Sequence, residues 1–263
     1  KFSGWPGMYT GFASLPETDH TRLALGLLNH RWAASAGWWE VGASWRWLEN
    51  DYDFDRRTQE SGSPGSFEHE TRSASVGLAG EQRWAGWDWR LSGQFTADRL
   101  LRSTDLVFGD FNSRSHGSLA IAPGRKWALD SGWDLAAWAG LRADLSNRDE
   151  NALSPILSLS LERPAGRAVD RFDLQYTGTT QLPGYTALNS PPTGLFGGNP
   201  DLGREYARTL TLGWSRQAAD WTARAALFQR RDEDLVDWTY LGGAPFLRQA
   251  NPVAVDRLTG RPR

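Results

Sequence analysis

The sequence predicts an all-β protein, an antiparallel transmembrane β-barrel. Three observations lead to this fold class: long strands with strict apolar and polar alternation, short turns that alternate with long polar segments, and tryptophans gathered beside the short turns. Strands of globular proteins usually run about 5 to 6 residues, whereas about 9 to 11 tilted residues cross a bilayer within a barrel. The clearest strand spans residues 87–98. Its apolar face carries Trp87, Trp89, Leu91, Gly93, Phe95 and Ala97.

Composition allows this fold and excludes several others. The chain has 263 residues and a formal net charge of −2, which does not favour a nucleic-acid partner. It has no cysteine, so a disulfide framework and a thiolate metal site are excluded. No run approaches about 18 apolar residues, so we expect no transmembrane helix. A mean hydropathy of −0.54 suits a soluble protein and a membrane barrel alike, because every second barrel residue faces water or the lumen.

The first hairpin follows a glycine- and proline-rich stretch, residues 1–20, which we expect to be a loop. Strand one alternates from Arg22 to Trp32, and strand two runs from Trp39 to Trp47. At about 3.4 Å per residue, Trp39 and Trp47 lie about 27 Å apart, close to the ~25 Å height of an outer-membrane apolar band. Residues 50–70 are polar and are predicted to be a loop opposite the short turns.

The next four strands form two hairpins. Strands three and four span 73–98 and meet at a tight turn around Ala85 and Gly86. After a polar stretch, 100–114, strand five covers about 115–127, where Pro123 and Gly124 indicate a bulge or an earlier end. A turn at 130–132 leads into strand six, residues 133–144, which ends in the charged loop 147–151.

The remaining strands complete the pattern. Strands seven and eight cover 153–162 and 172–177, with a turn at 164–168, and a long loop follows over 178–205. Strands nine and ten use 210–214 and 221–227. The tail from Leu241 reads as loop, with no convincing strand in 251–263. The prediction is therefore about ten strands in about five hairpins.

Tryptophan flanks four of the five short turns. The residues are Trp32, Trp38, Trp39, Trp84, Trp87, Trp127, Trp133, Trp214 and Trp221. An indole suits a membrane interface, because its ring is apolar and its N–H needs a polar partner. In outer-membrane barrels the short turns are periplasmic and the long loops extracellular, so the tryptophan-rich end is expected to face the periplasm. The alternative is a soluble up-and-down barrel or long meander whose tryptophans fill a core, or a soluble carbohydrate-binding β protein.

An ordered set of residues between 179 and 238 resembles a known family. It comprises Leu182, Pro183, Gly184, Tyr185, Thr186 and Leu188, then Gly197, Gly198, Asn199, Pro200, Asp201, Leu202 and Glu205, then Asp234, Leu235 and Val236. In TonB-dependent outer-membrane receptors, a P-S-Y-x-x-L-like stretch leads into G-N-P-x-L-x-P-E. Asn199, Pro200, Leu202 and Glu205 match the second motif, whereas Arg204 stands where that family has proline.

The resemblance implies a fold and a function. Such receptors resemble 22-stranded barrels with a plugged lumen, so about ten strands would form roughly half of one. We expect residues 1–263 to be a single barrel portion without the plug domain and without the C-terminal strands. The implied function is active import of a metal chelate such as a ferric siderophore, and next a cobalamin-like compound, across the outer membrane of a Gram-negative bacterium. The implied partners are outer-membrane lipid and a periplasmic TonB-type energy-coupling protein, reached through the missing plug.

Two groups of side chains are candidate site residues. Arg46, Arg90, Trp138 and Arg142 are predicted to face the lumen, where they contact a plug, line a substrate path or form a structural polar ladder. The loop residues are predicted to bind an anionic, aromatic-rich chelate through charge and stacking. These loop residues are Arg56, Arg57, Tyr185 and Phe196.

Catalytic chemistry is not indicated. The four histidines lack metal-ligand spacing, and no P-loop, His-Glu-x-x-His or Gly-x-Ser-x-Gly motif is present. The run Asn50, Asp51, Asp53 and Asp55 resembles half a calcium loop but lacks its glycine and terminal glutamate, so a solvated loop is favoured. We therefore expect no catalytic residue, metal or cofactor. The alternative function is an independent ten-stranded outer-membrane barrel that acts as a hydrolase, with Asp and His assembled at its mouth, or as a passive pore.

Overall fold

The computed structural model describes residues 18–53, 66–104, 106, 112–191, 196–240 and 248–253, and most of them lie in β-strands. In chain order the elements are β1 (Thr18–Ala34), β2 (Gly37–Asp53), β3 (Phe67–Trp84), β4 (Trp87–Ser103), β5 (Ser113–Ala128), β6 (Asp134–Ser146), β7 (Ala152–Ala165), β8 (Ala168–Gln181), α1 (Tyr185–Asn189), β9 (Phe196–Gly197), β10 (Glu205–Ala218), β11 (Thr222–Glu233), β12 (Leu235–Tyr240) and β13 (Arg248–Val253). None of the described residues belongs to a helix long and apolar enough to cross a membrane.

Ten of these strands form one antiparallel sheet, which confirms the predicted strand count. Each strand pairs with its neighbour in sequence from β1 to β8, and β8 then pairs with β10 and β10 with β11. The strands β1 and β11 are the two edges, and the sheet is open over the part of the chain that the structure describes. The closed barrel, its 22 strands and the absent plug therefore remain predictions.

The turn predicted around Ala85 and Gly86 is confirmed. Both residues have positive φ, 52° and 79°, which is the signature of a two-residue type I′ turn. Trp84 then lies directly opposite Trp87. Glycine adopts this backbone conformation without strain, whereas alanine does so at a cost.

The strands are longer than their apolar alternation predicts. β2 extends to Asp53 and β3 begins at Phe67, so the ends of the predicted loop 50–70 belong to strands, as do the ends of 100–114. Side-chain hydrogen bonds stabilise these polar ends: Asn50 Nδ2 lies 2.5 Å from Asp19 Oδ1, and Trp47 Nε1 lies 2.8 Å from Glu70 Oε1. Polar residues that interrupt the alternation can therefore still pair within a strand.

Strand β5 passes through Pro123 and Gly124 to Ala128, so the predicted bulge or early end is wrong. Pro123 lies opposite Trp89 on β4. On the β6 side, residues 122 and 123 have no ladder partner, but the register is the same before and after them. Proline is tolerated there because the ladder on that side is locally interrupted.

A second, three-stranded sheet was not predicted. It has the order β12-β13-β9, in which β13 pairs antiparallel with β12 and parallel with β9. The prediction of a loop-like tail from Leu241 is therefore wrong for Arg248–Val253, which form β13. The stretch has only 6 residues and contains a proline, so alternation gives no signal, and long-range pairing with β12 decides the structure.

The large sheet has one polar and one apolar face, because directly paired residues share a face. Every one of its strands from β2 to β11 places large apolar side chains in solvent on the apolar face. These exposed side chains include Trp45, Val76, Leu78, Phe95, Leu119, Ile121, Leu141, Leu153, Phe172, Leu212 and Leu227. The predicted alternation is confirmed across these strands.

Strand β1 carries a row of leucines on the polar face. Leu23, Leu25 and Leu27 pair with Leu48, Arg46 and Ser44, so they lie on the polar face. They are all exposed, and so is Leu28 on the opposite face. The edge strand β1 is thus apolar on both sides.

Candidate binding site on the polar face

The four side chains predicted to face a lumen all lie on the polar face. Arg90, Trp138 and Arg142 pair with alternate residues of β5, and Arg46 pairs with Ser73 in the same face of β3. The β5 partners are Ala122, Gly124 and Ala120, respectively. That this face lines a barrel lumen remains a prediction.

Trp138 is the most enclosed of these four residues, with 5% of its surface exposed. The guanidinium carbon of Arg90 lies 3.6 Å from the centre of its ring, in a cation–π arrangement. Beneath the ring is Gly124, where a Cβ atom would clash with Cδ1 of Trp138. The missing side chain of Gly124 thus makes room for the indole.

A charge network surrounds this stack at the short-turn end of the face. Arg90 Nε lies 3.2 Å from Glu81 Oε2, and Lys126 Nζ lies 3.6 Å from Glu81 and 4.0 Å from Asp88. Arg83 forms a further ion pair with Asp88 at 2.9 Å. These alternating charges across β3, β4 and β5 have the form of a polar ladder, one of the predicted roles for Arg90.

At the opposite end, the segment after β8 lies against the polar face and is fastened by Arg114. This side chain forms an ion pair with Asp98 at 3.0 Å and donates to the carbonyl oxygen of Pro183 at 2.9 Å. Its guanidinium carbon lies 5.2 Å from the ring centre of Tyr185. One cation therefore joins β4, β5 and the described residues 182–191 and 196–204, which we name the cover segment.

Tyr185, a predicted substrate-binding residue, lies in the cover segment and bonds it to β4. Its hydroxyl donates to the carbonyl oxygen of Asp98 at 3.2 Å. Burial raises the pKa of this hydroxyl well above its usual range, so it stays protonated and remains a donor. The Tyr185 ring also lines a cavity of about 330 Å³ beneath the cover segment, together with Leu188 and Arg148.

The residues that match the family motif shape the end of the cover segment. Asn199 and Pro200 form a turn, in which the side-chain Oδ1 of Asn199 accepts a hydrogen bond from the backbone N–H two residues later. Leu202 is buried, with 7% of its surface exposed. Glu205 accepts a hydrogen bond from the backbone N–H of Val236 at 3.3 Å and so connects the two sheets.

Arg204 is a residue whose role sequence reasoning missed, since it was noted only as a departure from the family motif. It is 5% exposed. Its Nη1 donates to Thr180 Oγ1 and its Nη2 to the carbonyl oxygen of Glu150, both at 3.0 Å, while its backbone N–H donates to Asp149. The side chain thus joins the β6–β7 loop, the end of β8 and the start of β10. The only sequence signal was an arginine in an otherwise glycine- and proline-rich segment.

A cavity of about 390 Å³ lies between the polar face and the cover segment. Its lining includes Gln94, His116, Ser118, Arg142, Thr180 and Arg204. Arg142 Nη2 lies 2.8 Å from the carboxylate of Asp144, which is buried, with 5% of its surface exposed. The cavity therefore combines cationic donors with amide and hydroxyl groups.

The other predicted binding residues are less fully placed. Arg56 and Arg57 lie outside the described residues. The backbone of Phe196 forms β9, and its side chain lies outside the described part. Within the ranges that the structure describes, no group of three or more His, Asp or Glu side chains is placed to hold a metal ion. A chelate-binding role for these loop residues remains a prediction.

No protein-family model and no curated protein matches the chain. Among solved structures, it is similar to the β domain of the Bordetella autotransporter BrkA, with 13% identity, 83% of this chain and 86% of that chain covered, and a TM-score of 0.36. It is also similar to the siderophore receptor PirA from Pseudomonas aeruginosa, with 12% identity, 88% of this chain and 55% of that chain covered, and a TM-score of 0.31. At such low scores, neither likeness carries an argument about function.

The chain itself defines its class. It is an all-β protein whose ten-stranded antiparallel sheet is polar on one face and apolar and exposed on the other. The apolar face and the covered cavity are the two features on which a function can be built.

Proposed function

We propose that the ten-stranded sheet is wall of a β-barrel in the outer membrane of a Gram-negative bacterium. The observation that carries the proposal is the exposed apolar face, on which Leu119, Leu153 and Leu227 are 61%, 74% and 74% exposed. Soluble monomers rarely expose contiguous apolar patches above a few hundred Å², whereas lipid tails solvate such a face at no cost.

The height of the apolar band supports the proposal. On β2 the band runs from Trp39 to Trp47, about 27 Å at 3.4 Å per residue. One pair further along the same face, Arg22 and Glu49 form an ion pair at 3.2 Å. At the short-turn end of the sheet, the guanidinium carbon of Arg163 lies 4.4 Å from the ring centre of Trp133. Charges thus begin where the hydrocarbon of a bilayer would end.

A membrane also constrains the edges of the sheet. No water reaches the hydrocarbon region, so the backbone groups along β1 and β11 need strand partners there. A larger barrel supplies those partners, as the resemblance to TonB-dependent receptors implies.

Within this barrel, we propose that the protein is a TonB-dependent receptor for a metal chelate such as a ferric siderophore. The ordered residues from Leu182 to Glu205 support this, because they form the cover segment and its junction with the second sheet. Substrate would bind at the long-loop end, and a periplasmic TonB-type protein would supply energy through a plug outside this chain. This chain would supply wall and loops.

Two experiments test the proposal in sequence. The first expresses the parent protein with single cysteines introduced into this chain, which itself contains none. A membrane-impermeant maleimide should label Asn151→Cys in intact cells and should label Ser35→Cys only after the outer membrane is permeabilised. Recovery of the protein in a soluble fraction would overturn the membrane assignment.

The second experiment measures uptake of labelled iron chelates by the producing strain and by its deletion mutant. Uptake that is lost on deletion and restored by the gene supports the receptor function. If the protein is in the outer membrane but uptake of every chelate is unchanged, the barrel assignment would stand and the transport function would be refuted.

The alternative is an independent ten-stranded outer-membrane barrel that acts as a hydrolase or passive pore. One observation favours it: the sheet has an even number of strands, so its edges β1 and β11 run antiparallel, as direct closure requires. Stable ion conductance or ester hydrolysis by the purified chain in a planar bilayer or micelles would select this alternative. Their absence would exclude it.

A further inference from the structure

Arg204 is buried beside the polar face, and its guanidinium lacks an anionic partner. The guanidinium nitrogens of Arg90, Arg114, Arg142 and Arg171 lie between 2.8 and 3.2 Å from a carboxylate. The guanidinium of Arg204 bonds only to a hydroxyl and a backbone carbonyl, and no carboxylate of the described residues comes within 4.0 Å of it. A buried charge is costly unless an opposite charge accompanies it.

Two buried polar atoms at this cavity also lack partners. Arg204 Nε and His116 Nδ1 are both enclosed and form no hydrogen bond with the described residues. Both side chains line the cavity of about 390 Å³ between the polar face and the cover segment. Buried donors are almost always satisfied in folded proteins, so such atoms mark a place where another molecule belongs.

We propose that this cavity binds the anionic oxygen group, carboxylate or phosphate, of a small molecule. Arg204 supplies the uncompensated positive charge. Arg142 stands on the neighbouring wall, is only partly buried and has further donors beyond those that hold Asp144. His116 adds a ring nitrogen from a third element, and this nitrogen donates when it carries the proton. A guanidinium is well matched to carboxylate and phosphate oxygens.

The cavity has room for a ligand larger than a single ion. The volume of about 390 Å³ falls within the ~300 to 1,000 Å³ of ordinary small-molecule sites. Gln94 and Ser118 add an amide and a hydroxyl on the polar face. The site therefore suits a polar molecule with at least one anionic group and further oxygen atoms.

This inference deepens the proposed receptor function. It rests on that function in one respect only, namely that the bound molecule is the imported one. Binding itself requires neither transport nor a coupling partner. A measurement on the purified chain can therefore fail while membrane labelling succeeds, and the two failures are distinguishable.

The test is isothermal titration of the full chain in a nonionic detergent with citrate and, separately, with inorganic phosphate. Binding of either probe is expected, with at least a tenfold loss of affinity in Arg142→Gln and in Arg204→Gln. Arg171→Gln is the matched control, because Arg171 lies on the same face but outside the cavity lining, and it should bind like the unchanged chain. Citrate binding alone would assign a carboxylate, and phosphate binding alone a phosphate.

Arg204 also fastens the cover segment, so its loss has a structural effect that needs a separate readout. His116→Leu removes the ring nitrogens without disturbing any of those bonds, and near-ultraviolet circular dichroism reports whether each variant keeps its tertiary structure. No binding of either probe at millimolar concentration would overturn the proposal. So would unchanged affinity in a folded Arg142→Gln variant.

Discussion

A pair of neighbouring substitutions on β10 distinguishes lipid from water at the apolar face. Leu212 lies between Leu174 and Leu227 on the adjacent strands and is 51% exposed. Thr211 is one residue away on the polar face, beside Gln175. We expect Leu212→Arg to destabilise the membrane-inserted protein strongly and Thr211→Arg to have little effect.

The magnitude follows from the position of Leu212 within its strand. It lies near the middle of the 14 residues of β10, and arginine at the midplane of a barrel's lipid face costs about 2–4 kcal/mol. At about 1.4 kcal/mol per factor of ten, that is roughly a 30- to 700-fold change in the folding equilibrium. If the face were in water, a half-exposed position would tolerate arginine within about 0.5 kcal/mol.

The assay is reversible urea unfolding of the full chain in phosphatidylcholine vesicles. The 15 tryptophans provide the fluorescence signal, and both variants are measured under identical conditions. Equal stability of the two variants would refute the membrane assignment of the apolar face. A larger loss in Thr211→Arg would show that the assignment of the two faces is reversed.

Three further predictions concern local structure. Tyr185→Phe removes the bond to Asp98, so the free energy that holds the cover segment should fall by about 1 kcal/mol and amide exchange there should quicken, whereas unchanged exchange would contradict the bond. Gly124→Ala should displace the Trp138 ring at a cost of about 1–3 kcal/mol and shift tryptophan emission to longer wavelength; an unshifted spectrum with unchanged stability would argue against the close contact. Ala85→Asn should stabilise the hairpin by up to about 1 kcal/mol in urea unfolding, because asparagine tolerates positive φ, and a loss of stability would argue against the type I′ turn.

The central parts of the strands could be predicted because each strand has one face on the polar side of the sheet and one on the apolar side. Alternation of side chains then repeats with a period of two, and a run such as Trp87 to Ala97 has no other reading. The strand ends were missed because charged and amide residues interrupt the alternation there. Asn50 and Glu70 carry no apolar signal, yet their side chains bond across the ladder.

The candidate site was less accessible to sequence reasoning. Arg90 and Arg142 follow directly from alternation, since each is a polar residue within a clear strand. Arg204 does not, because it lies just before β10 and its partners are 24 and 54 residues away in the chain. Such a role depends on how the cover segment folds back, which periodicity does not encode.

In the proposed barrel, the leucines of β1 would give the inner wall one apolar section. Leu23, Leu25 and Leu27 would face inward and Leu28 would face lipid, so this part of β1 is apolar in both directions. The charged groups that would hold water or a polar solute lie on β2 to β8. A hydrophilic molecule that passes along this wall would therefore follow the arginine-rich side, close to the cover segment. The leucines of β1 would pack against apolar groups inside the barrel.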